Sequence, residues 1–267
     1  MSRHRVVVVG ACGKMGSEVV RAVTSQGDME LVGAVDVVNC GEDIGQLVGL
    51  GPLGVPVVSD LTECLKTVGA THAVDFTTPR SVKKNATAML NAGVRPVVGT
   101  TGLSQDDIEE LTELSERQNL GGVIAPNFAI GAALMMKFAV EASKYFPSVE
   151  IVELHHDRKL DAPSGTAIRT AEMIVTAGRR PTSRDVSEIE SLSGARGGAL
   201  EGIRIHSIRL PGLIAHQEVI LGNEGQILTI RHDSTSRTSF MPGVILAIRR
   251  VTDLDRLVYG MESLLDL

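Results

Sequence analysis

The sequence predicts an α/β protein in which a doubly wound parallel sheet is followed by a second α+β domain with a mixed or antiparallel sheet. Short β-branched runs alternate with longer helical patterns from Arg5 to about Ala125, which is typical of a parallel sheet covered by helices. A glycine-rich turn follows the first of these runs. Beyond Ile203, strand-like segments follow one another without helical patterns between them, which indicates antiparallel or mixed pairing.

The first half of the chain supplies the parallel sheet. Its predicted strands are the apolar runs Val6–Val9, Leu31–Val35, Val55–Val58, Ala73–Phe76, Val94–Val98 and Gly122–Ala125. Its predicted helices are Lys14–Ser25, Leu61–Val68, Ser81–Asn91 and Gln105–Arg117. Because the crossovers between parallel strands are right-handed, we expect ligands to bind at the carboxyl ends of these strands.

The pattern changes after Asn127, where a long apolar helix is predicted over about Ile130–Tyr145 and then a strand over Val149–His156. The further predicted strands are Ile203–Arg209, His216–Leu221 and Gln226–Arg231. The segment Arg237–Leu267 returns to helical periodicity, and we expect it to pack on the first domain. The residues predicted to share its apolar face are Val244, Ile248 and Val251.

These changes in pattern predict two domains. Residues 1–127 and 237–267 are expected to form a dinucleotide-binding, Rossmann-like domain, and residues 128–236 a substrate-binding and oligomerisation domain. The strands of the second domain offer a sheet face or edge for pairing between subunits. Two loop-like stretches, Asn39–Gly54 and Gly178–Gly198, have no predicted chemical role.

Composition narrows the classes of function. With 26 Lys and Arg against 32 Asp and Glu, the net charge of −6 argues against a nucleic-acid surface driven by overall charge. The absence of Trp argues against base-stacking platforms and membrane belts. The three cysteines are too few and too irregularly spaced for a disulfide framework or a zinc knuckle, which favours a reducing cytoplasm. We therefore expect small-molecule chemistry without nucleic-acid or membrane partners.

A glycine-rich turn, Gly10–Gly16, separates the first predicted strand from the first helix. Glycines let the backbone approach an anion, and the N–H groups at a helix start point toward it, so the turn predicts a pyrophosphate site. Its spacing is G-x-x-G-x-x-G and not the usual G-x-G-x-x-G, and an ordinary tight turn is the alternative. Asp36 favours the nucleotide site because it follows the next strand about twenty residues later.

An acid at the position of Asp36 accepts hydrogen bonds from ribose hydroxyls, which favours NADH. Val37 follows it, so no arginine is present there to hold the additional phosphate of NADPH. Use of both NADH and NADPH remains open, through Lys14 or a remote cation. The alternative role of Asp36 is that of an ordinary carboxylate at a strand end.

Small polar turns follow three more predicted strands, at Phe76–Pro79, Gly99–Gly102 and Ala125–Phe128. All three are expected at the same sheet edge as the glycine turn, where the nicotinamide half of a dinucleotide needs backbone partners. Each turn alone is common, and the last also suits a hinge between domains. The predicted cofactor-binding residues are Gly10, Ala11, Cys12, Gly13, Lys14, Met15, Gly16, Asp36, Gly99, Thr100, Thr101, Ala125, Pro126, Asn127 and Phe128.

The segment Glu153–Thr166 reads E-L-H-H-D-R-K-L-D-A-P-S-G-T. It places His155 and His156 at a strand end, Lys159 beyond them, and a Ser-Gly-Thr sequence at the start of a helix. A histidine can donate a proton near neutral pH, a lysine can stabilise negative charge, and helix N–H groups can bind a carboxylate. The segment therefore predicts a site for an anionic substrate, although each residue alone is more often structural or solvated.

The helix of this segment is predicted to begin at Pro163 and Ser164 and to end at Gly178. The residues expected to face the core are Ile168, Ala171 and Val175, and those expected to bind the substrate are His156, Ser164, Gly165 and Thr166. Neighbouring strand residues point to opposite faces, so His155 and His156 are not expected to share a metal ion. No metal site is predicted.

The segment Glu153–Thr166 resembles, nearly residue for residue, the E-L-H-H-x-x-K-x-D-A-P-S-G-T signature of the 4-hydroxy-tetrahydrodipicolinate reductase family. The companion motifs occur in the same order: G-A-C-G-K-M-G, D-F-T, G-T-T-G, A-P-N-F and S-R-x-x-F at Ser236–Phe240. The resemblance spans essentially the whole chain. It implies that NAD(P)H reduces a cyclic dicarboxylate with loss of water, in lysine and diaminopimelate biosynthesis.

The resemblance also implies roles for individual residues. It places the catalytic proton donor on His155, the catalytic lysine on Lys159 and a substrate-binding histidine on His156. Gly165 and Thr166 match residues that hold a substrate carboxylate, and the glycine turn, Asp36 and the later strand-end turns match cofactor segments. The implied fold is a dinucleotide domain made from both chain ends around a substrate domain, assembled as a homotetramer.

Two other functions suit part of the sequence. A dehydrogenase acting on aspartate or homoserine suits the glycine turn and Asp36 equally well, but it does not explain the paired histidines. A regulatory protein that senses NAD(H) without turnover has no need of a proton donor, which argues against it because His155 and Lys159 occur together.

Overall fold

The computed structural model describes residues 3–178 and 189–266. The chain divides into two compact units, one formed by Met1–Phe128 with Phe240–Asp266 and the other by Ala129–Ser239. None of the helices in the described ranges has the length and apolar character needed to cross a membrane. Of the stretch predicted as loop over 178–198, residues 179–188 lie outside the described residues.

Strands and helices alternate through the first half of the chain, and strands predominate later. The strands are β1 (His4–Val9), β2 (Met29–Val35), β3 (Val57–Val58), β4 (His72–Asp75), β5 (Arg95–Val98), β6 (Gly122–Ile124), β7 (Ser148–His155), β8 (Gly198–Leu200), β9 (Ile203–Arg209), β10 (Ala215–Asn223), β11 (Gln226–Ser234) and β12 (Leu257–Tyr259). The α-helices are α1 (Lys14–Thr24), α2 (Ile44–Leu47), α3 (Leu61–Thr67), α4 (Val82–Asn91), α5 (Gln105–Arg117), α6 (Ile130–Ser143), α7 (Gly165–Thr176) and α8 (Met241–Arg250). Short 3₁₀ turns cover Arg237–Phe240, Val251–Asp253 and Met261–Leu264.

The first unit is built on a parallel sheet with the strand order β12-β6-β5-β4-β1-β2-β3. The six predicted strands are confirmed, with ends that differ by a few residues. Their continuous apolar runs reflect burial: Val6, Val7 and Val8 in β1 are fully buried, as expected when helices cover both faces. The additional strand β12 was not predicted, because three residues are too short to show a period of two.

The C-terminal segment packs within the first unit, as predicted. Val244, Ile248 and Val251 are all fully buried. Helix α8 approaches the loop after β6 so closely that a Cβ on Gly243 would lie 1.8 Å from the Phe128 carbonyl oxygen. Both chain ends therefore contribute to one core.

The second unit contains a mixed sheet with the strand order β11-β10-β7-β9-β8. β7 pairs parallel with β9 and antiparallel with β10, so the predicted mixed or antiparallel sheet is mixed. One face carries a buried apolar cluster, and α6 and α7 pack on this sheet. The members of the cluster are Ile151, Ile203, Ile205, Val219 and Leu221.

The predicted core face of α7 is confirmed at Ala171 and wrong at Ile168 and Val175. The structure buries Ala167, Thr170, Ala171 and Ile174, which follow the i, i+3, i+4, i+7 spacing of a helix face. Ile168 and Val175 were expected in this face but are only half-buried. The sequence is apolar on both sides of the true face, so the periodicity alone did not fix the rotation of the helix.

The loop Asn39–Gly54, which had no predicted role, is organised by the carboxylate of Asp43. This side chain accepts hydrogen bonds from the backbone N–H groups of Gly45, Gln46, Leu53, Gly54 and Val55. Hydrogen bonds from the backbone, chiefly that from Leu53, hold the pKa of Asp43 below its usual value. The loop thus has an internal framework of its own.

Candidate active site

The glycine turn between β1 and α1 packs backbone directly on backbone. Gly10 has a φ of +79°, and a Cβ there would lie 2.5 Å from the Phe76 carbonyl oxygen. A Cβ on Gly16 would lie only 1.9 Å from the carbonyl oxygen of Gly10. Gly13 is the N-cap of α1 and supplies no side-chain cap, so the helix start is suited to receive an anionic group from a ligand.

Asp36, directly after β2, is tied to the same turn. Its Oδ2 accepts a hydrogen bond from the backbone N–H of Cys12 at 2.9 Å, and its Oδ1 accepts one from Val37 at 2.7 Å. The carboxylate is therefore held at the edge of the glycine turn, where a ribose is expected. The Val37 side chain is 85% exposed beside it.

A buried carboxylate, that of Asp75, connects two of the predicted cofactor loops. Asp75 ends β4 and is fully buried. Its Oδ1 accepts hydrogen bonds from Thr100 Oγ1 at 2.6 Å and from Thr77 Oγ1 at 2.8 Å, and its Oδ2 accepts one from Asn85 Nδ2 at 2.8 Å. The turn after β5 and the loop after β4 are thus fixed to each other.

The next strand ends are also in contact. A Cβ on Gly99 would lie 2.2 Å from the ring of Phe76, and that ring lies 5.9 Å from the ring of Phe128, centroid to centroid. The side chains of Ala11 and Phe128 are buried, so at these two positions only the backbone can face a ligand. The structure therefore brings the ends of β1, β4, β5 and β6 together, and this glycine-lined edge fits a dinucleotide.

In the second unit, Glu153 and His155 lie two residues apart on β7, on the same face of the sheet. The Glu153 side chain is fully buried, and its Oε2 lies 2.5 Å from Nδ1 of His155. β7 is flanked on both sides, and its parallel register with β9 places Arg209 beside His155. A charged cluster is thus built into one end of this sheet face, where Gln217 and Ser207 are the register partners of Glu153.

Arg209 binds Glu153 through both ends of its guanidinium. Nη2 donates to Oε1 at 2.7 Å and Nη1 donates to Oε2 at 2.9 Å. The backbone N–H of Ser164 also donates to Oε1, at 3.1 Å. Burial alone would raise the pKa of Glu153, but hydrogen bonds from His155, Arg209 and Ser207 outweigh it and lower that pKa to about 2.

Lys159 is held in the loop between β7 and α7. Its Nζ donates to both carboxylate oxygens of Asp161 at 2.8 Å, and this hydrogen bond lowers the pKa of Asp161. The carbonyl oxygen of Asp161 accepts a hydrogen bond from Arg209 Nη2 at 2.7 Å. Lys159 is therefore connected through Asp161 and Arg209 to the buried Glu153.

Helix α7 begins as predicted, with Ser164 as its N-cap. The Ser164 hydroxyl accepts from the N–H of Ala167, and the Ser164 N–H is bound to Glu153. Ser164 is 3% exposed, so both of its polar groups are used inside the protein. The next two residues, Gly165 and Thr166, therefore carry the backbone N–H groups that are candidates for a substrate carboxylate.

His156 follows β7 and carries a buried Nδ1 that has no hydrogen-bond partner in the described part of the chain. A buried polar atom without a partner is costly, which makes it a candidate ligand contact. Within residues 3–178 and 189–266, no group of three or more His, Cys, Asp or Glu side chains is arranged to hold a metal ion.

The sequence did not assign roles to Asp75, Glu153 or Arg209. A weak signal existed for the two acids, since each interrupts or ends an apolar strand and must be paired if it is buried. For Arg209 no local signal existed, because its partner lies 56 positions away and is reached only through strand register.

Comparisons with known proteins cover both units. The family described as "Dihydrodipicolinate reductase, N-terminus" matches residues 4–128, and "Dihydrodipicolinate reductase, C-terminus" matches residues 131–265. A relative from Desulfitobacterium hafniense named 4-hydroxy-tetrahydrodipicolinate reductase is 54% identical over 267 residues, covering 100% of both chains. One of the same name from Syntrophomonas wolfei is 53% identical and covers 98% of this chain and 99% of its own.

Among solved structures, a dipicolinate-bound dihydrodipicolinate reductase from Paenisporosarcina sp. TG-14 is similar to this chain with a TM-score of 0.86 and 47% identity. The match covers 98% of this chain and 100% of that one.

Proposed function

This chain belongs to the dihydrodipicolinate reductase family, and from that premise we propose that His155 and Lys159 are its catalytic residues. It is an NAD(P)H-dependent oxidoreductase of lysine and diaminopimelate biosynthesis. It reduces 4-hydroxy-tetrahydrodipicolinate to tetrahydrodipicolinate with loss of water. NADH or NADPH, when bound, supplies the hydride.

The contact between His155 and the buried Glu153 is the observation that carries this proposal. The carboxylate engages Nδ1, so Nε2 is the ring nitrogen that can donate a proton to the substrate. A protonated ring carries a hydrogen on each nitrogen, so it can keep its contact with Glu153 through Nδ1 while Nε2 acts as the acid. A proton donor placed in this way contributes a rate factor of about 10²–10⁴.

The substrate is a dicarboxylate, and the second unit offers cationic and N–H groups for it. Lys159 supplies a positive charge, and its side chain is 22% exposed and held by Asp161. We assign the carboxylate contacts to Lys159 and to the start of α7 at Gly165 and Thr166, with His156 as a further substrate contact. Ser164 contributes by capping the helix.

For the cofactor, we assign the pyrophosphate to the turn Gly10–Gly16, the ribose of the adenosine half to Asp36, and the nicotinamide half to the turns Gly99–Thr101 and Ala125–Phe128. The close backbone packing of the glycine turn and the uncapped start of α1 support this assignment. The first unit is then the dinucleotide-binding domain and the second the substrate-binding domain.

We also propose a cytoplasmic homotetramer. The free thiols of Cys12, Cys40 and Cys64 support a reducing compartment. The outer strand β11 carries Ile227 and Leu228, 76% and 36% exposed, which supports pairing of this sheet with another copy. Light scattering tests the assembly, and a monomer at micromolar concentration would contradict it.

The test of the catalytic assignment is oxidation of NADH and NADPH, followed by absorbance. The substrate is generated in place by condensing pyruvate with aspartate semialdehyde. His155→Ala is expected to lower kcat by about 10²-fold or more while the affinity for NADH stays unchanged. Full turnover in this variant would remove His155 from the mechanism.

A further inference from the structure

The carboxylate of Glu153 connects the three parts of the proposed substrate site, which are His155, the start of α7 and the loop that carries Lys159. It is fully buried, and each of its oxygens accepts two hydrogen bonds. Burying a carboxylate is costly unless its acceptor capacity is satisfied, so this arrangement tolerates little displacement. A displacement of one of its hydrogen-bond donors is therefore expected to displace the others.

The two oxygens serve different parts of the site. Oε2 lies 2.5 Å from Nδ1 of His155, the proposed proton donor. Oε1 accepts the N–H of Ser164, the residue that caps α7, at 3.1 Å. The acid and the carboxylate-binding helix start are thus fixed by one side chain.

Arg209 connects Glu153 to the loop that carries Lys159. Its guanidinium spans both oxygens of Glu153, and Nη2 also donates to the carbonyl oxygen of Asp161. Asp161 in turn holds Nζ of Lys159. The positive charge of Arg209 compensates the buried carboxylate, while the carbonyl contact anchors the loop that carries Lys159.

We propose that Glu153 is the positioning residue of the substrate site, which orients the ring of His155 and the start of α7 together, with Arg209 holding the carboxylate in place. This inference rests on the proposed role of His155. Glu153 acts through other residues, since its side chain is fully buried and its carboxylate is occupied by His155, Arg209 and Ser164.

The proposal fixes where the protons lie on His155. The protonated ring donates Nδ1–H to Glu153 and gives up the proton on Nε2, so the Nε2–H bond breaks and a neutral ring with its hydrogen on Nδ1 remains. A new proton is then taken up at Nε2. Without the carboxylate, the neutral ring has no reason to keep its hydrogen on Nδ1.

The same strand provides a matched control in Glu150. It also contacts an arginine and a histidine, with distances of 2.6 Å to Arg196 Nη2 and 2.8 Å to His206 Nε2. However, Glu150 lies an odd number of residues from Glu153, on the opposite face, and its side chain is 36% exposed. Glu150→Gln therefore removes a similar charged contact away from the proposed site.

The first experiment uses the unaltered protein. Nitrogen-15 NMR of labelled histidine rings, assigned with His155→Asn, is recorded from about pH 6 to 9. We expect the neutral His155 ring to carry its hydrogen on Nδ1. A ring with its hydrogen on Nε2 would overturn the proposal, and this result does not depend on Glu153→Gln being folded.

The second experiment compares Glu153→Gln with Glu150→Gln, after thermal unfolding has shown that each variant is folded. We expect Glu153→Gln to lower kcat by about 10²-fold, because the ring of His155 loses the group that orients it. Its KM for the substrate should rise, while its KM for NADH stays unchanged. Glu150→Gln should leave all three quantities unchanged.

A double variant tests whether Glu153 acts on kcat through His155 or independently of it. If Glu153 acts on the chemical step through His155, the kcat of Glu153→Gln combined with His155→Asn should be no lower than that of His155→Asn alone, while KM for the substrate rises as in Glu153→Gln. A further loss of about 10²-fold would contradict the proposal.

The catalytic role of His155 and the positioning role of Glu153 can be disproved separately. If His155→Asn keeps full turnover, the catalytic assignment itself is lost. If that variant is inactive but Glu153→Gln keeps its kcat and its KM for the substrate, only the positioning role of Glu153 is overturned.

Discussion

The two units build their sites from different materials. In the first unit, the candidate cofactor site consists largely of backbone: Gly10 and Gly16 leave no room for a Cβ, and the start of α1 has no side-chain cap. In the second unit, the substrate site consists of charged side chains around the buried Glu153. The first site depends on the absence of side-chain atoms, and the second depends on the pairing of charged side chains.

Because of this difference, we expect the two sites to respond differently to changes of pH and to added side-chain atoms. A site made from backbone tolerates changes of pH but does not tolerate added atoms. A site made from a buried charge network tolerates small changes in volume at its rim but depends on protonation and on the presence of every partner. Substitutions and acidification can test that contrast, beginning with the largest expected effect.

Gly16→Ala should disrupt the first site most. The added Cβ would lie 1.9 Å from the Gly10 carbonyl oxygen, so the turn must open. We expect the affinity for NADH, measured by calorimetry, to fall by about 10²-fold, and stability to fall by about 1–3 kcal/mol.

Gly27→Ala is the matched control, because nothing lies within 4 Å of a Cβ at that position. It should bind NADH like the unaltered protein. Normal NADH affinity in Gly16→Ala would show that the turn is not the cofactor cradle.

Asp75→Asn tests a buried side-chain link in the first site. An amide in this place cannot accept all the hydrogen bonds from Thr77, Thr100 and Asn85, and some donors lose their partner. We expect KM for NADH to rise about tenfold while KM for the substrate is unchanged. Steady-state kinetics with each ligand varied in turn measures both.

Asp60→Asn is a suitable comparison, since Asp60 caps α3 in the same unit and asparagine caps equally well. A rise in substrate KM as large as that for NADH in Asp75→Asn would indicate a general loss of structure and not a local role.

Acidification should weaken the second site through Glu153. Its folded pKa is about 2 against an ordinary 4.5, so its ionised form stabilises the fold fully above about pH 4.5. That stabilisation is lost as the pH falls toward about 2. We expect the thermal midpoint of the protein to drop over this window, as followed by circular dichroism.

In Glu153→Gln this contribution is absent at every pH, so the variant should start less stable and lose less on acidification. An equally steep loss in the variant would mean that other carboxylates govern the acid sensitivity.

Val37→Arg should give the smallest effect. Val37 is 85% exposed next to Asp36, so an arginine there costs little stability and can pair with the additional phosphate of NADPH. We expect KM for NADPH to fall about threefold with little change for NADH. The ratio of the KM values for the two cofactors in the oxidation assay measures this effect. An unchanged ratio would show that the additional phosphate of NADPH does not bind next to position 37.

Most of the order of elements in the first unit could be predicted because these elements carry their own signals. The run Val6–Val9 and the pattern Gln105–Arg117 each show burial or periodicity within a dozen residues, and both are found where predicted. By contrast, β12 and the rotation of α7 were not predicted, since neither is determined by a local pattern.

The sequence by itself determined the α/β class, the glycine turn, the histidine pair with Lys159, and the family, because these depend on residue types at short, fixed spacings. Only the tertiary structure decided that Asp75 links two loops and that Glu153, Arg209 and Ser164 form one network. The physical reason is that a buried charge is stabilised by partners that are close in space, and several of these are distant in sequence: strand register brings Arg209 to Glu153 across 56 positions.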